Sequence, residues 1–131
     1  MNAVPVANPV VEQPLVLLVE DELLIATSME IILEGHGYRI LGPVATVADA
    51  IALLENDRPD MALLDYRLAR TTTEPLIPIL ARQRVPVCVL TGYGRAQLPA
   101  AYAECALLEK PFRTSALLAA LQALGEQSAR R

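Results

Sequence analysis

The sequence predicts a doubly wound α/β domain, and three observations carry that prediction. Short apolar runs of strand length stop abruptly at acids or at a hydroxyl. Segments with helically spaced apolar residues lie between them, and the links are only a few residues long. Strand and helix alternate five times, which calls for five parallel strands with five helices covering both faces of the sheet. The expected strand order is 2-1-3-4-5. In such a sheet the ligand crevice lies at the carboxyl ends of the strands, beside the point where strand order reverses.

The first strand is the run Leu15 to Val19, stopped by Glu20, Asp21 and Glu22. A first helix follows to Glu34, with Leu24, Ile25, Met29, Ile32 and Leu33 at helical spacing and the acids at its positive end. His36, between Gly35 and Gly37, is expected to serve the negative end of that helix and not to act as a ligand. Tyr38 to Leu41 is the second strand, Gly42-Pro43 a break, and Thr46 the cap of a second helix running to about Asn56. Met61 to Leu64 is the third strand, ended by Asp65. A loop through Thr71, Thr72 and Thr73 leads to Pro75 in the first turn of a helix that ends near Arg84. Val85 to Leu90 is the fourth strand, followed by the loop Thr91 to Gly94 and a short helix containing Pro99. Ala106 to Leu108 is the fifth strand. Lys110-Pro111-Phe112 breaks the chain before Thr114 caps a last helix, with Leu117, Leu118, Leu121 and Leu124 inward.

Composition narrows the function classes. A chain of 131 residues with 53% hydrophobic and 20% charged side chains is too apolar for a disordered protein and long enough for one core. Its net charge of -4 leaves no basic footprint for nucleic acid or anionic lipid. The apolar runs are too short to span a bilayer. Cys88 and Cys105 lack zinc-site or redox-pair spacing and read as buried, reduced thiols, so the expected location is the cytoplasm. Residues 1–14, rich in proline and without basic side chains, are expected to form a flexible tail and not a signal peptide. The domain is expected over 15–124, with a polar C-terminal tail over 125–131.

The strand ends converge on one chemistry. They bring Glu20, Asp21, Asp65, Thr91, Glu109 and Lys110 to a single rim. Crowded carboxylates raise one another's pKa unless a cation neutralises them. A hard divalent cation with oxygen ligands suits such a site, and Mg2+ in particular leaves positions open for water and a phosphoryl oxygen. Zinc would want histidine or cysteine, and His36 is the only histidine. Lys110, the only lysine in the chain, and Thr91 are suitable donors to phosphoryl oxygens, and Asp65 is the candidate nucleophile for an acyl phosphate.

Four fragments, Val19-Glu20-Asp21-Glu22, Leu63-Leu64-Asp65, Leu90-Thr91-Gly92 and Glu109-Lys110-Pro111-Phe112, arrive in order at strand ends. From Leu15 to about Leu124 the chain resembles the receiver domains of two-component response regulators. The resemblance implies a flavodoxin-like fold with Asp65 as phosphoacceptor. It also implies Mg2+ held by Asp21, Asp65 and the backbone carbonyl of Arg67, with Glu20 holding a metal-bound water. It makes Thr91 and Lys110 the phosphoryl contacts and the Lys110-Pro111 bond cis. The donor would be a histidine on a sensor kinase or phosphotransfer protein. Output would pass through contact with an unknown downstream protein, or the chain would act as a phosphate sink, as a monomer or weak homodimer. No DNA-binding or membrane role is implied.

Val89 to Gly94 is also similar to the Phe-Ala-Thr-Gly-Tyr-Gly signature of a single-domain receiver subfamily, keeping four of its six residues. Leu107 stands where most receivers carry a switching aromatic, three residues before the lysine, and Tyr93 becomes the switch candidate. The loop Ala69-Arg70-Thr71 replaces the usual glycine-containing turn. One alternative is a receiver unit excised from a larger hybrid kinase or regulator. A remoter one is a small Asp-nucleophile phosphatase, which would need a second aspartate where Arg67 stands. A flavin-type cofactor binder would need a hydroxyl- and glycine-rich loop after the first strand, where the acids stand instead.

Overall fold

The computed structural model describes residues 13–129. The five strands are β1 (Leu15–Val19), β2 (Arg39–Val44), β3 (Met61–Asp65), β4 (Val87–Thr91) and β5 (Ala106–Glu109). They pair in parallel in the order β2-β1-β3-β4-β5, as the sequence predicts. The helices are α1 (Leu23–Gly35), α2 (Val47–Leu54), α3 (Leu76–Arg82) and α4 (Thr114–Ala129).

Side chains alternate across the sheet and build two cores. Leu17, Val19, Ala62, Leu64 and Val89 pack with Ala50 and Leu54 of α2 and Leu76 and Leu80 of α3. On the other face Val16, Leu18, Met61, Leu63 and Leu90 pack with Met29 and Leu33 of α1 and Leu117, Leu121 and Leu124 of α4. Each fully buried leucine or valine contributes roughly 1.5–3 kcal/mol of burial. With every β3 position buried, Asp65 emerges at the end of a strand that cannot shift register without exposing both faces.

The expected fourth helix does not form, so among the described residues there are four α-helices and not five. Two short 3-10 turns, Arg95–Gln97 and Ala100–Tyr102, take its place. Pro99 supplies no amide hydrogen and drives the preceding residue out of the helical region; Leu98 and Pro99 are both extended, with ψ of 147° and 156°. The Arg95 guanidinium instead donates to the carbonyls of Tyr102, Ala103 and Cys105, the last at 2.8 Å.

Other expectations shift at their edges. Gly42-Pro43 does not break the second strand but lies within β2, where one extra residue between Leu41 and Val44 faces the Leu17–Val19 step of β1. The bond between them is cis. In α1 the inward stripe is Ala26, Met29 and Leu33, whereas Leu24, two residues before Ala26 and so about half a turn round, is 82% exposed. His36 stands at the C-cap of α1, its Nδ1 2.8 Å from the Ile32 carbonyl. Thr46 caps α2 by accepting the Asp49 amide at 3.0 Å. The last helix begins at Thr114 itself and runs through Gly125 to Ala129, so the segment expected as a tail from 125 starts within a helix. Residues 1–12 of the expected N-terminal tail lie outside the described residues.

At Gly42, φ is +104°, and a Cβ would stand 2.9 Å from the Val44 nitrogen and 3.0 Å from the Leu18 oxygen, both backbone atoms. Gly42→Ala should therefore lower stability by about 1–3 kcal/mol in urea unfolding. Gly35→Ala, with nothing within 4 Å of the added carbon, should be neutral or stabilising by up to about 1 kcal/mol. Equal effects would refute this description of the bulge.

Candidate functional site

The backbone ladder fixes the acids and the lysine before their side chains interact. The Glu20 amide donates to the Val44 carbonyl at 2.9 Å, extending the β1–β2 pairing by one residue. Asp65 closes β3, and the next amide, of Tyr66, donates to the Leu90 carbonyl at 2.8 Å. The Lys110 amide donates to the Thr91 carbonyl at 2.7 Å, carrying the β4–β5 pairing past the end of β5. The Lys110-Pro111 bond is cis.

A cleft of about 380 Å³ opens at these strand ends, lined among others by Asp21, Asp65, Arg67, Thr91, Tyr93 and Lys110. The Lys110 Nζ lies 2.7 Å from Asp65 Oδ1 and 3.8 Å from Glu20 Oε1. Glu20, Asp21 and Asp65 each offer a carboxylate oxygen, all within 4.8 Å of one another. Glu20 and Asp65 are only 2% and 5% exposed, so water cannot screen their repulsion. Glu109 is exposed and forms no part of this group.

Glu20 bears the cost of crowding. Burial, followed by the Asp65 charge, pushes its carboxyl up to about 7, although the Glu22 amide, 3.1 Å from its Oε2, and Lys110 oppose the shift. Its Oε1 has no hydrogen-bond partner, since the 3.8 Å to Lys110 is a charge contact and not a hydrogen bond. Lys110 feels burial as a lowering influence, but its hydrogen bond and charge contact with Asp65, with the charges of Glu20 and Glu22, raise it overall. Three carboxylates against one ammonium, one carboxylate oxygen unpartnered, make an oxygen-donor set that fits a hard divalent cation.

Thr91 is 3% exposed and lines the cleft; its Oγ1 accepts the Tyr93 amide at 3.0 Å, which leaves the hydroxyl hydrogen free to be donated. Tyr93 is 45% exposed, with its ring edge-on to Tyr66 at 6.3 Å. Leu107 packs against the core. The structure thus brings Glu20, Asp21, Asp65, Arg67, Thr91, Tyr93 and Lys110 to one cleft. Two site-supporting residues carried no sequence signal. Thr73 is fully buried yet is one of three consecutive threonines, and Tyr102 lies in the segment expected to be helical.

Residues 16–122 match the response regulator receiver domain family. The chain belongs to that family. It is 35% identical over 122 residues to the phyllosphere-induced regulator PhyR of Methylorubrum extorquens, a match covering 88% of this chain and 46% of PhyR. The chain spans about half the length of the curated relatives it matches. Among solved structures it is similar to SdrG of Pseudomonas melonis in its BeF3-activated conformation (TM-score 0.72, 34% identity, 85% of this chain and 95% of SdrG). It is also similar to the receiver domain of a sensor histidine kinase from Pseudomonas aeruginosa, solved with magnesium coordinated in its active-site cleft (TM-score 0.70, 30% identity, 87% of this chain and 98% of that one).

Both cysteines are free and buried, and burial pushes the Cys88 thiol up to about 12, far from reactive. Among the described residues no helix is long and apolar enough to cross a membrane.

The raised Glu20 pKa has a defined effect on stability. Between about 4.5 and about 7 the folded state holds a proton on Glu20 that the unfolded chain has lost, so this group lowers stability as pH rises through that window. Without divalent metal, Glu20→Gln should be more stable than the parent at pH 8, by up to about 3 kcal/mol, and should lose that advantage towards pH 4.5. Parallel stability curves from denaturant titrations would contradict the assignment.

Proposed function

We propose that this receiver accepts a phosphoryl group on Asp65, in a Mg2+-dependent reaction, from a histidine of a sensor kinase or phosphotransfer protein. The observation that carries this reading is the 2.7 Å contact of Lys110 with Asp65 beside the crowded carboxylates of Asp21 and of Glu20, whose Oε1 lacks a hydrogen-bond partner. An Asp65 carboxylate oxygen attacks phosphorus and forms the new P–O bond while the P–N bond to the donor imidazole breaks, and the electron pair leaves with the donor nitrogen. Lys110 and the Thr91 hydroxyl donate to phosphoryl oxygens as charge builds on them. Glu20 (through water), Asp21, Asp65 and the carbonyl of Arg67 would hold Mg2+, which when bound neutralises carboxylate and phosphoryl charge. The chain acts on no substrate other than its own aspartate, assisting phosphorylation and later hydrolysis there.

The phosphoryl group adds about -1.5 to -2 charge at the rim. We infer that the result is read by a downstream protein at the surface beyond β4, with Tyr93 as the exposed reporter, or is drained as a phosphate sink. No nucleic-acid or membrane contact is proposed, and the free, buried thiols support a cytoplasmic location. A monomer or weak homodimer suffices for this chemistry. A second reading, a receiver unit within a longer regulator or kinase, is supported by the match to only 46% of PhyR and by the similarity to a kinase receiver.

Beryllofluoride with Mg2+ mimics the phosphoryl group without a donor. It should shift backbone amides around Asp65, Thr91 and Lys110, with no change in Asp65→Asn. Tyr93→Ala should bind as tightly while blunting the shifts from Gly94 to Tyr102. Shifts that survive in Asp65→Asn would sink the assignment of Asp65.

A further inference from the structure

Behind the acid rim lies a chain of buried oxygens. The fully buried Thr73 donates its hydroxyl to the Asp65 carbonyl at 2.7 Å, and its amide donates to the Tyr66 carbonyl at 3.0 Å. The Tyr102 hydroxyl lies 3.0 Å from the Thr73 oxygen. A threonine hydroxyl has one hydrogen and a carbonyl has none, so that hydrogen belongs to the Asp65 contact. Tyr102 must then be the donor to Thr73. Tyr102 is itself fully buried, which raises its pKa and keeps the phenol protonated.

The same bonds shape the loop that follows β3. With Thr73 clamping the carbonyls of Asp65 and Tyr66, Arg67 pairs with Thr72 in an antiparallel bridge, and the Leu68 amide donates to the Thr71 carbonyl at 2.8 Å. The Arg67 backbone is therefore held by a closed hairpin whose base is the Thr73 hydroxyl.

The ring of Tyr102 reaches the second loop of the cleft. It meets Tyr66 edge-on at 5.4 Å, and Tyr66 meets Tyr93 edge-on at 6.3 Å. Such pairs are worth more than the area they bury. The Tyr93 amide in turn holds the Thr91 hydroxyl oxygen. One side chain, on the 3-10 turn where a fourth helix was expected, thus touches by hydroxyl and by ring the supports of both loops that face the cleft.

We propose that Tyr102 is a positioning residue for Asp65, holding the end of β3 and the Arg67 loop through the Thr73 hydroxyl and coupling them to the segment from Arg95 to Cys105. This rests on Asp65 being the phosphoacceptor. A new ligand on Asp65 draws the Thr91 hydroxyl, and Thr91 is linked through Tyr93 and Tyr66 to Tyr102, so the turn follows the rim.

Tyr102→Phe keeps the ring and its volume and removes only the donor. With Mg2+ and beryllofluoride it should bind about 3–10-fold more weakly than the parent, and the amide shifts at 95–105 should fall relative to those at Thr91. Thr73→Val should do the same and Thr73→Ser should restore the parent response; this pair decides the matter even if Tyr102→Phe does not fold. Parent-like affinity and parent-like shifts at 95–105 in both Tyr102→Phe and Thr73→Val would overturn the inference alone. A parent protein that takes up no beryllofluoride would overturn the phosphoacceptor reading and this inference with it.

Discussion

Three carboxylates held against one ammonium at the end of a buried strand is the constraint on which the rest of the molecule depends. Charges on an open surface would relax by moving a few ångströms into water. Here the backbone ladder forbids it, because Glu20 and Lys110 each sit one residue past a paired strand and Asp65 closes a strand with no exposed position. The repulsion is met locally instead. Lys110 engages Asp65 directly, and Glu20 is left with an oxygen lacking a hydrogen-bond partner and a carboxyl that holds its proton to near neutrality. A divalent cation held there would relieve the repulsion that the fold imposes.

The two cores make the constraint firm. α1 and α4 cover one face of the sheet and α2 and α3 the other, so β3 is sealed on both sides and its last side chain has one direction left, into the cleft. The side of the molecule beyond β4 is built more lightly. Its connection is two short turns closed by Arg95, and its anchor is the Tyr102 hydroxyl and ring. A rigid acid rim beside a lightly held segment is an arrangement in which a charge change at the rim has somewhere to go.

Much of this was legible in the sequence because the signals are local. Apolar runs such as Leu15 to Val19 and Met61 to Leu64 can only be two-sided buried strands, and the polar residues that end them must fall on one rim of a parallel sheet. Glu20, Asp21, Asp65, Thr91 and Lys110 therefore came together without reference to any long-range contact. What escaped depended on a competition that pattern does not weigh. Helical spacing after Gly94 lost to the backbone restriction of Pro99, and Gly125 failed to end α4, which runs on to Ala129. Gly42-Pro43 was absorbed as a bulge because β2 is an edge strand and can bend there. Leu24 looked like core by composition and faces solvent by phase. Thr73 and Tyr102 were invisible because Thr73 bonds to a backbone carbonyl eight residues away and Tyr102 to the Thr73 hydroxyl twenty-nine residues away, relations that leave no periodic trace.

The central claim is that Asp65 carries a transferable phosphoryl group. Mass spectrometry of the protein after exposure, with Mg2+, to acetyl phosphate or to an autophosphorylated histidine kinase reads this directly. The expected result is one added phosphoryl mass on the peptide containing Asp65, stable in acid, released by base and missing from Asp65→Asn. An adduct on another residue, an adduct retained in Asp65→Asn, or none with either donor would contradict it.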